Sequence, residues 1–173
     1  MTHQELAKKI YEVAHLKGDF LLRSGQRSNE YFDKYRFESN PLVLKEIAKQ
    51  LAPKIPAGTE VLAALEMGGI PIGTALSLET GIPCVFVRKT AKEYGTCQFA
   101  EGLEIKDKVV TIVEDVITSG GQVLLSTADL RRLGAKITNV LCVIHRGGEA
   151  AEKKLAEMDL KLTPLFVRTD FPN

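Results

Sequence analysis

Val109–Gly121 reads VVTIVEDVITSGG, and the rest of the chain can be arranged around it. Its first five residues, Val109–Val113, include four apolar ones and are rich in β-branched side chains. Such a run reads as a strand buried on both faces, the habit of a parallel sheet. Two adjacent carboxylates, Glu114 and Asp115, fall where that strand should emerge. Ile117, Thr118, Ser119, Gly120 and Gly121 follow, and then a helical pattern, QVLLSTADLRRLGA.

A strand, a turn rich in hydroxyls and glycine, and a helix start together make an anion site. The first backbone N–H groups of a helix have no internal partner, and the helix dipole favours negative charge there. Glycines allow close approach of the main chain, and hydroxyls add donors. Carboxylates beside such a site do not bind the phosphate; they suit sugar hydroxyls or a magnesium ion. A phosphorylated ribose with a metal would satisfy every part. The plainer reading is a buried strand, an ordinary capped helix and two surface acids.

Composition narrows the field. A chain of 173 residues, 45% hydrophobic and 26% charged, suits one globular domain spanning 1–173. A formal net charge of +1 gives no global electrostatic case for nucleic acid or an anionic membrane, so any anion site must be local. No apolar run approaches a membrane span, and MTHQELAKKIYEVAHL has charges where a signal peptide needs an apolar core. A cytoplasmic protein is expected. The three cysteines, Cys84, Cys97 and Cys142, lack metal-ligand spacing. Cys84 and Cys142 lie in apolar runs and read as small buried hydrophobes, while Cys97 lies in a polar segment and is assigned no chemistry.

Outward from the central stretch the chain alternates. Thr2–Leu16 places Leu6, Ile10, Val13 and Ala14 at helical spacing. The following stretch, GDFLLRSGQRSNEYFDKYRFESNP, mixes glycine, aromatics and short β-like pieces, and reads as a small substructure outside the main sheet. Pro41 opens the helix PLVLKEIAKQLAPKI, with Asn40 as its N-cap. Strands are expected at Glu60–Leu65, Pro83–Arg88, Val109–Val113, Asn139–His145 and Leu162–Val167, the last pushed to an edge by Pro164. Helices are expected from about Ile70 to Gly81, over Gln122–Leu133 and over Glu149–Met158. This rhythm predicts a mostly parallel sheet covered on both sides, with ligands at the carboxyl ends of its strands. The turns after Leu65, Arg88, Val113 and Ile144 then share one rim. The one long connection, Arg88 to Val109, has no obvious helix or strong strand and reads as functional or disordered.

The Val109–Gly121 segment resembles the phosphoribosyl-pyrophosphate (PRPP) signature of type I phosphoribosyltransferases. The segment Arg88–Gly102, RKTAKEYGTCQFAEG, is similar to the catalytic loop of orotate phosphoribosyltransferases: Arg-Lys, two residues, Lys, one residue, His or Tyr, Gly, ending in Glu-Gly. Phe20–Lys34, FLLRSGQRSNEYFDK, resembles that family's base-side segment, and Val143–Gly147, VIHRG, resembles the end of its fourth strand. The resemblance implies a type I phosphoribosyltransferase fold, α/β, in which about residues 1–40 form a hood over the base. It implies transfer of the phosphoribosyl group of PRPP to orotate, giving orotidine 5′-monophosphate and pyrophosphate in pyrimidine biosynthesis. It also implies Mg2+ held mainly by PRPP, with help from Glu114 and Asp115, and a homodimer that shares its catalytic loop across the interface.

Residue by residue, the resemblance gives Lys92 the leaving pyrophosphate, helped by Arg88, Lys89 and Tyr94. PRPP falls to Glu114, Asp115, Ile117, Thr118, Ser119, Gly120 and Gly121, with Gly68 and Gly69 of the turn Glu66–Pro71, EMGGIP. The family's turn often uses a lysine here; this one has none, so Gly68 and Gly69 are left with their backbone N–H groups. Orotate falls to Arg23, Tyr31, Phe32, Thr118 and Arg146. Physically, Tyr31 and Phe32 supply an apolar face and Arg23 and Arg146 supply cations, although core packing would equally explain the two aromatics. A solvated basic loop would equally explain Arg88–Lys92. His145 stands where the family commonly has Asp, and a His closing a buried strand reads as structural. The rivals are a phosphoribosyltransferase for a purine or another base, and a non-catalytic PRPP-sensing regulator, which would want a basic face. No G-x-G-x-x-G follows a strand, against a dinucleotide fold.

Overall fold

The computed structural model describes residues 1–22, 25–91 and 98–171. Helix α1, His3–Ala14, starts at a reciprocal cap. The Glu5 N–H donates to the Thr2 hydroxyl at 3.2 Å and the Thr2 N–H to the Glu5 carboxylate at 2.8 Å, which satisfies two donors the helix cannot. The apolar spacing that suggested helix as far as Leu16 is overridden at His15. There the chain turns extended and forms β1, His15–Leu21, antiparallel to β2, Arg27–Phe32, with Leu16 opposite Tyr31. This hairpin is a separate two-stranded sheet, the small substructure expected from the sequence.

A short helix α2, Tyr35–Glu38, leads to α3, Pro41–Leu51. Asn40 Oδ1 accepts from the Leu42 and Val43 N–H groups, and Pro41 costs nothing at the first helical position. Then follow β3 (Val61–Leu65), α4 (Gly69–Thr80), β4 (Cys84–Val87), β5 (Ala100–Glu101), β6 (Val109–Ile117), α5 (Gly121–Arg132), β7 (Lys136–His145), α6 (Gly148–Ala156) and β8 (Lys161–Val167).

The main sheet runs β5-β4-β3-β6-β7-β8, parallel throughout except for β5 against β4. Alternate residues feed two cores. Leu62, Val113, Leu141 and Val143 pack with α1, α3 and α4, while Ala63, Ile112, Val140 and Cys142 pack with Val123, Leu130 and Leu155 beneath α5 and α6. Burial on both faces is why these strands read as unbroken apolar runs. β8 lies at the edge, where Pro164 can lack its N–H.

Two expectations are corrected. β5 is two residues long, too short for any period to announce it, and is held by pairing of Phe86 with Glu101 and Val87 with Ala100. β6 runs on to Ile117, because β7 keeps pairing with it through Glu114, Val116 and Ile117. Glu114 and Asp115 therefore lie inside the strand and not past its end, 8% and 0% exposed.

Candidate functional site

The carboxyl ends of β3, β4 and β6 open onto a cavity of about 410 Å3, lined by Glu66 and Met67, Lys89, and the run Glu114–Val123, together with Lys34 and Tyr35. The rim expected from the topology is thus where these polar groups gather. At its floor the chain leaves β6 and enters α5 through Thr118, Ser119 and Gly120. Gly120 has φ 75°, a left-handed conformation that glycine adopts without a Cβ penalty, and it turns the chain directly into α5. Ser119 Oγ accepts from the Gly121 N–H at 3.4 Å. The remaining first-turn amides of α5, the hydroxyls and Lys89 make the wall suited to an anion.

Behind this wall lies a cluster of carboxyls and one ammonium. Lys34 Nζ lies 2.6 Å from Asp115 Oδ2, and this ion pair, not an aligned hydrogen bond, is what faces that oxygen. The Asp115 N–H donates to Glu114 Oε1 at 3.0 Å and the Val116 N–H to Asp115 Oδ1 at 2.5 Å. Glu38, from α2, is 5% exposed and faces Asp115 with neither oxygen in a well-aligned hydrogen bond. Burial, then Asp115, pushes its carboxyl up to about 9. Burial and the Asp115 charge likewise raise Glu114 well above the carboxylate range. Burial would raise Asp115 too, but the neighbouring Glu114 and Glu38 carboxyls and the Lys34 ammonium outweigh it and hold Asp115 low. Lys34 is held high: burial pulls it down, and its contact with Asp115 more than offsets that. The cluster thus sets one ammonium against a carboxylate held low, Asp115, beside two acids, Glu38 and Glu114, that burial pushes up.

The Glu66–Met67 peptide bond is cis, and the turn it opens touches β6 closely. A Cβ on Gly68 would lie 1.5 Å from Asp115 Oδ2, and one on Gly69 would lie 2.5 Å from the Val113 carbonyl oxygen. Side chains are excluded at both positions.

A second cavity, also about 410 Å3, lies between the hairpin and the end of β7, lined by Tyr31, Phe32, Arg146, Arg168 and Phe171 among others. The Arg146 guanidinium carbon is 5.6 Å from the Phe32 ring centre. Phe32 also meets Phe37 and Phe171 at 6.3 Å each, so its ring belongs both to the cavity and to the core. Tyr31, its strand neighbour, is 44% exposed and leans on Phe20 at 5.5 Å. The two cavities meet at one seam: the Arg146 N–H donates to the Ile117 carbonyl at 2.8 Å, and a Cβ on Gly147 would lie 1.7 Å from the Thr118 carbonyl oxygen.

Of the residues singled out in the sequence, Glu114, Asp115, Ile117, Thr118, Ser119, Gly120, Gly121 and Lys89 line the first cavity, and Tyr31, Phe32 and Arg146 the second. Gly68 and Gly69 lie against β6 beneath the first. Arg88 turns to the edge strand, its Nε 3.1 Å from Glu101 Oε1. Arg23, Lys92 and Tyr94 lie outside the described residues, as does Cys97. His145 lines neither cavity; it is buried, with Nε2 3.2 Å from Glu152 Oε1 on α6, in keeping with a structural part. Cys84 is half-buried and Cys142 fully so, and burial pushes both thiols up, Cys84 to about 11. Lys34 and Glu38 were missed. A lysine after an aspartate and a glutamate in a four-residue helix carry no period, and only tertiary packing brings them to Asp115.

Comparison with known proteins agrees with this geometry. The phosphoribosyl transferase domain family matches residues 36–165. An orotate phosphoribosyltransferase of Nocardioides sp. is 46% identical over 165 residues, covering 95% of this chain and 92% of its own. The crystal structure of orotate phosphoribosyltransferase from Aeropyrum pernix superimposes with a TM-score of 0.77 at 29% identity, over 96% of this chain and 93% of its own. That of the Mycobacterium tuberculosis enzyme in complex with PRPP gives a TM-score of 0.82 at 22% identity over 97% of each chain, a likeness of fold.

Proposed function

We infer the reaction from one premise: this chain belongs to the orotate phosphoribosyltransferase family. It is a transferase that moves the phosphoribosyl group of PRPP to orotate, with release of pyrophosphate and formation of orotidine 5′-monophosphate. The observation that carries the reading is the seam between the cavities. An anion turn with a buried carboxylate pair meets an arginine over an aromatic ring, joined by the Arg146–Ile117 hydrogen bond. A sugar phosphate on one side and a flat anionic ring on the other would meet there.

In this reading the Thr118–Gly121 turn cradles the 5′-phosphate through backbone N–H groups and hydroxyls. Asp115, the carboxylate held low in its cluster, accepts from ribose hydroxyls, and Glu114, its neighbour in β6, helps hold it. Arg146 pairs with the orotate carboxylate and Phe32 packs on the ring. The reacting carbon becomes cation-like as pyrophosphate leaves, so rate comes from positioning and from charge on the leaving group, where Lys89 and Lys92 act. Arg88, Tyr94 and Arg23 keep the parts the family resemblance gives them.

Among the described residues no group of three or more His, Cys, Asp or Glu could hold a metal. Among the donors that line the first cavity, Glu114 and Asp115 offer hard oxygens, and Mg2+ needs only one or two of these beside substrate phosphates. The fit is therefore to Mg2+ bound largely by PRPP, which would supply Lewis-acid charge at the pyrophosphate oxygens. We further assign the chain to one domain, a homodimer and the cytoplasm; no described helix is long and apolar enough to cross a membrane.

The test is ultraviolet loss of orotate on mixing with PRPP, Mg2+ and protein, with adenine and hypoxanthine in parallel and Arg146→Ala alongside. Orotate loss that needs PRPP and collapses in Arg146→Ala is expected. Pyrophosphate release with a purine and none with orotate would overturn the base assignment, and tight PRPP binding without turnover would favour a regulator.

A further inference from the structure

A pyrophosphate group brought to the first cavity needs cations there, and the turn Glu66–Pro71 offers none. Among the described residues, the cavity is lined by two, Lys89 and Lys34. We propose that Lys34 is a substrate-contacting residue of this site, the ammonium that the Glu66–Pro71 turn does not provide. The proposal rests on the reading of the cavity as the PRPP site.

Lys34 enters from the hairpin side, immediately before α2, and crosses to the sheet, where its Nζ meets Asp115 Oδ2 at 2.6 Å. Both residues line the cavity, and the Lys34 side chain is 34% exposed while that of Asp115 is 0% exposed, so the lysine is the more accessible member of the pair. The Tyr35 ring, 5.3 Å from Nζ, supports it from the side. The space it fills exists because Gly68 cannot carry a side chain: a Cβ there would strike Asp115 Oδ2 at 1.5 Å and approach Glu38 Oε1 at 3.0 Å. The turn thus withdraws its side chain from above Asp115, and the residue that leads into α2 supplies a cation in its place.

This has a chemical purpose. A buried carboxylate needed for ribose hydroxyls would repel the phosphates of the same substrate. An ammonium between them removes the conflict. Without substrate it neutralises Asp115; with substrate, hydroxyls donate to Asp115 and the ammonium turns its N–H groups to phosphate oxygens. No bond is made or broken by Lys34, and it carries no proton to the reacting atoms.

The experiment measures PRPP dissociation constants by calorimetry, and KM for PRPP and for orotate, in wild type, Lys34→Gln, Lys34→Met and Lys34→Arg. A charged contact of this kind predicts a loss of PRPP affinity of roughly 10- to 100-fold in the Gln and Met variants. The KM for orotate should stay near wild type, and Arg should recover most of the loss. Unchanged PRPP affinity in either folded neutral variant overturns the proposal. So does equal loss for both substrates, which marks a structural role, and so does failure of Arg to rescue. The dissociation constants decide Lys34 whether or not wild type consumes orotate, so a failure of the reaction assigned above is told apart from a failure here.

Discussion

Gly147→Ala tests the seam between the two cavities more directly than any catalytic substitution. Gly147 has φ −86° and ψ −9°, which alanine adopts freely, so the backbone itself offers no objection. The objection is steric. The added Cβ would lie 1.7 Å from the Thr118 carbonyl oxygen and 2.5 Å from the Ala151 Cβ, where ordinary contact begins at 3.4 Å. Neither neighbour is the end of a flexible side chain, so backbone must move on one side or the other. Overpacking of this kind costs about 1–3 kcal/mol, and loss of the adjoining Arg146–Ile117 hydrogen bond adds about 1 kcal/mol. For a chain of this size that predicts a melting temperature lower by roughly 4–15 °C. Activity should fall further than stability, because a shift of about 1 Å between bound reactants can cost about 100-fold in rate. The assay is a thermal melt, then orotate consumption well below the melting range, at saturating PRPP and orotate. A variant that melts with wild type and turns over at the wild-type rate would refute the claim that this seam sets the distance between the reactants.

Three further outcomes are expected. Lys92→Ala should chiefly lower kcat, since its contact matters most as pyrophosphate departs; an effect on PRPP binding alone would remove it from that role. Asp115→Asn should lose PRPP affinity with the fold intact by circular dichroism, and an unchanged PRPP dissociation constant would end the ribose assignment. Glu38, with its carboxyl pushed from 4.5 to about 9, contributes stability that is full below the unfolded value and lost as pH rises through the folded one. Its loss amounts to about 1.4 kcal/mol per pH unit for one proton. Glu38→Gln, which keeps a donor for Asp115, should therefore be less pH-sensitive than wild type between about pH 5 and about pH 8 in urea unfolding, and parallel profiles would contradict the protonated state.

What could be read from the sequence had a period or a local turn to carry it. The five parallel strands announced themselves because burial on both faces leaves apolar runs such as Val61–Leu65. Gly81 and Asn40 announced helix ends through their own local chemistry: Gly81 is left-handed at φ 76°, and Asn40 caps with its side chain. The end of α1 was misplaced because Leu16 kept the helical spacing while its pairing with Tyr31, fifteen residues on, drew it into the hairpin. The edge strand Ala100–Glu101 left no signal at two residues. The anion turn was legible as a contiguous motif. Lys34 and Glu38 were not, since what makes them matter is a carboxylate about eighty residues away in sequence.

Those two residues also explain how acids can sit inside a buried strand. Two carboxyls in succession at the middle of β6 would be prohibitive if both ionised. The chain places one ammonium and a third carboxyl beside them: Asp115 is held low opposite Lys34, while burial pushes Glu38 and Glu114 up. Lys34 and Glu38 stand four residues apart, the spacing that brings two side chains to one face of a helical turn, so α2 delivers both to Asp115 together. Two residues before Lys34, on the same segment, Phe32 reaches the second cavity and the Arg146 guanidinium. One short stretch of chain therefore touches both cavities, and moving it by packing changes at Phe37, 0% exposed within it, would alter the carboxylate pair and the arginine wall at once. The segment leading from the hairpin into α2 thus meets the sheet through an ion pair at one cavity and an aromatic ring at the other, and the ion pair lasts only while Asp115 stays ionised.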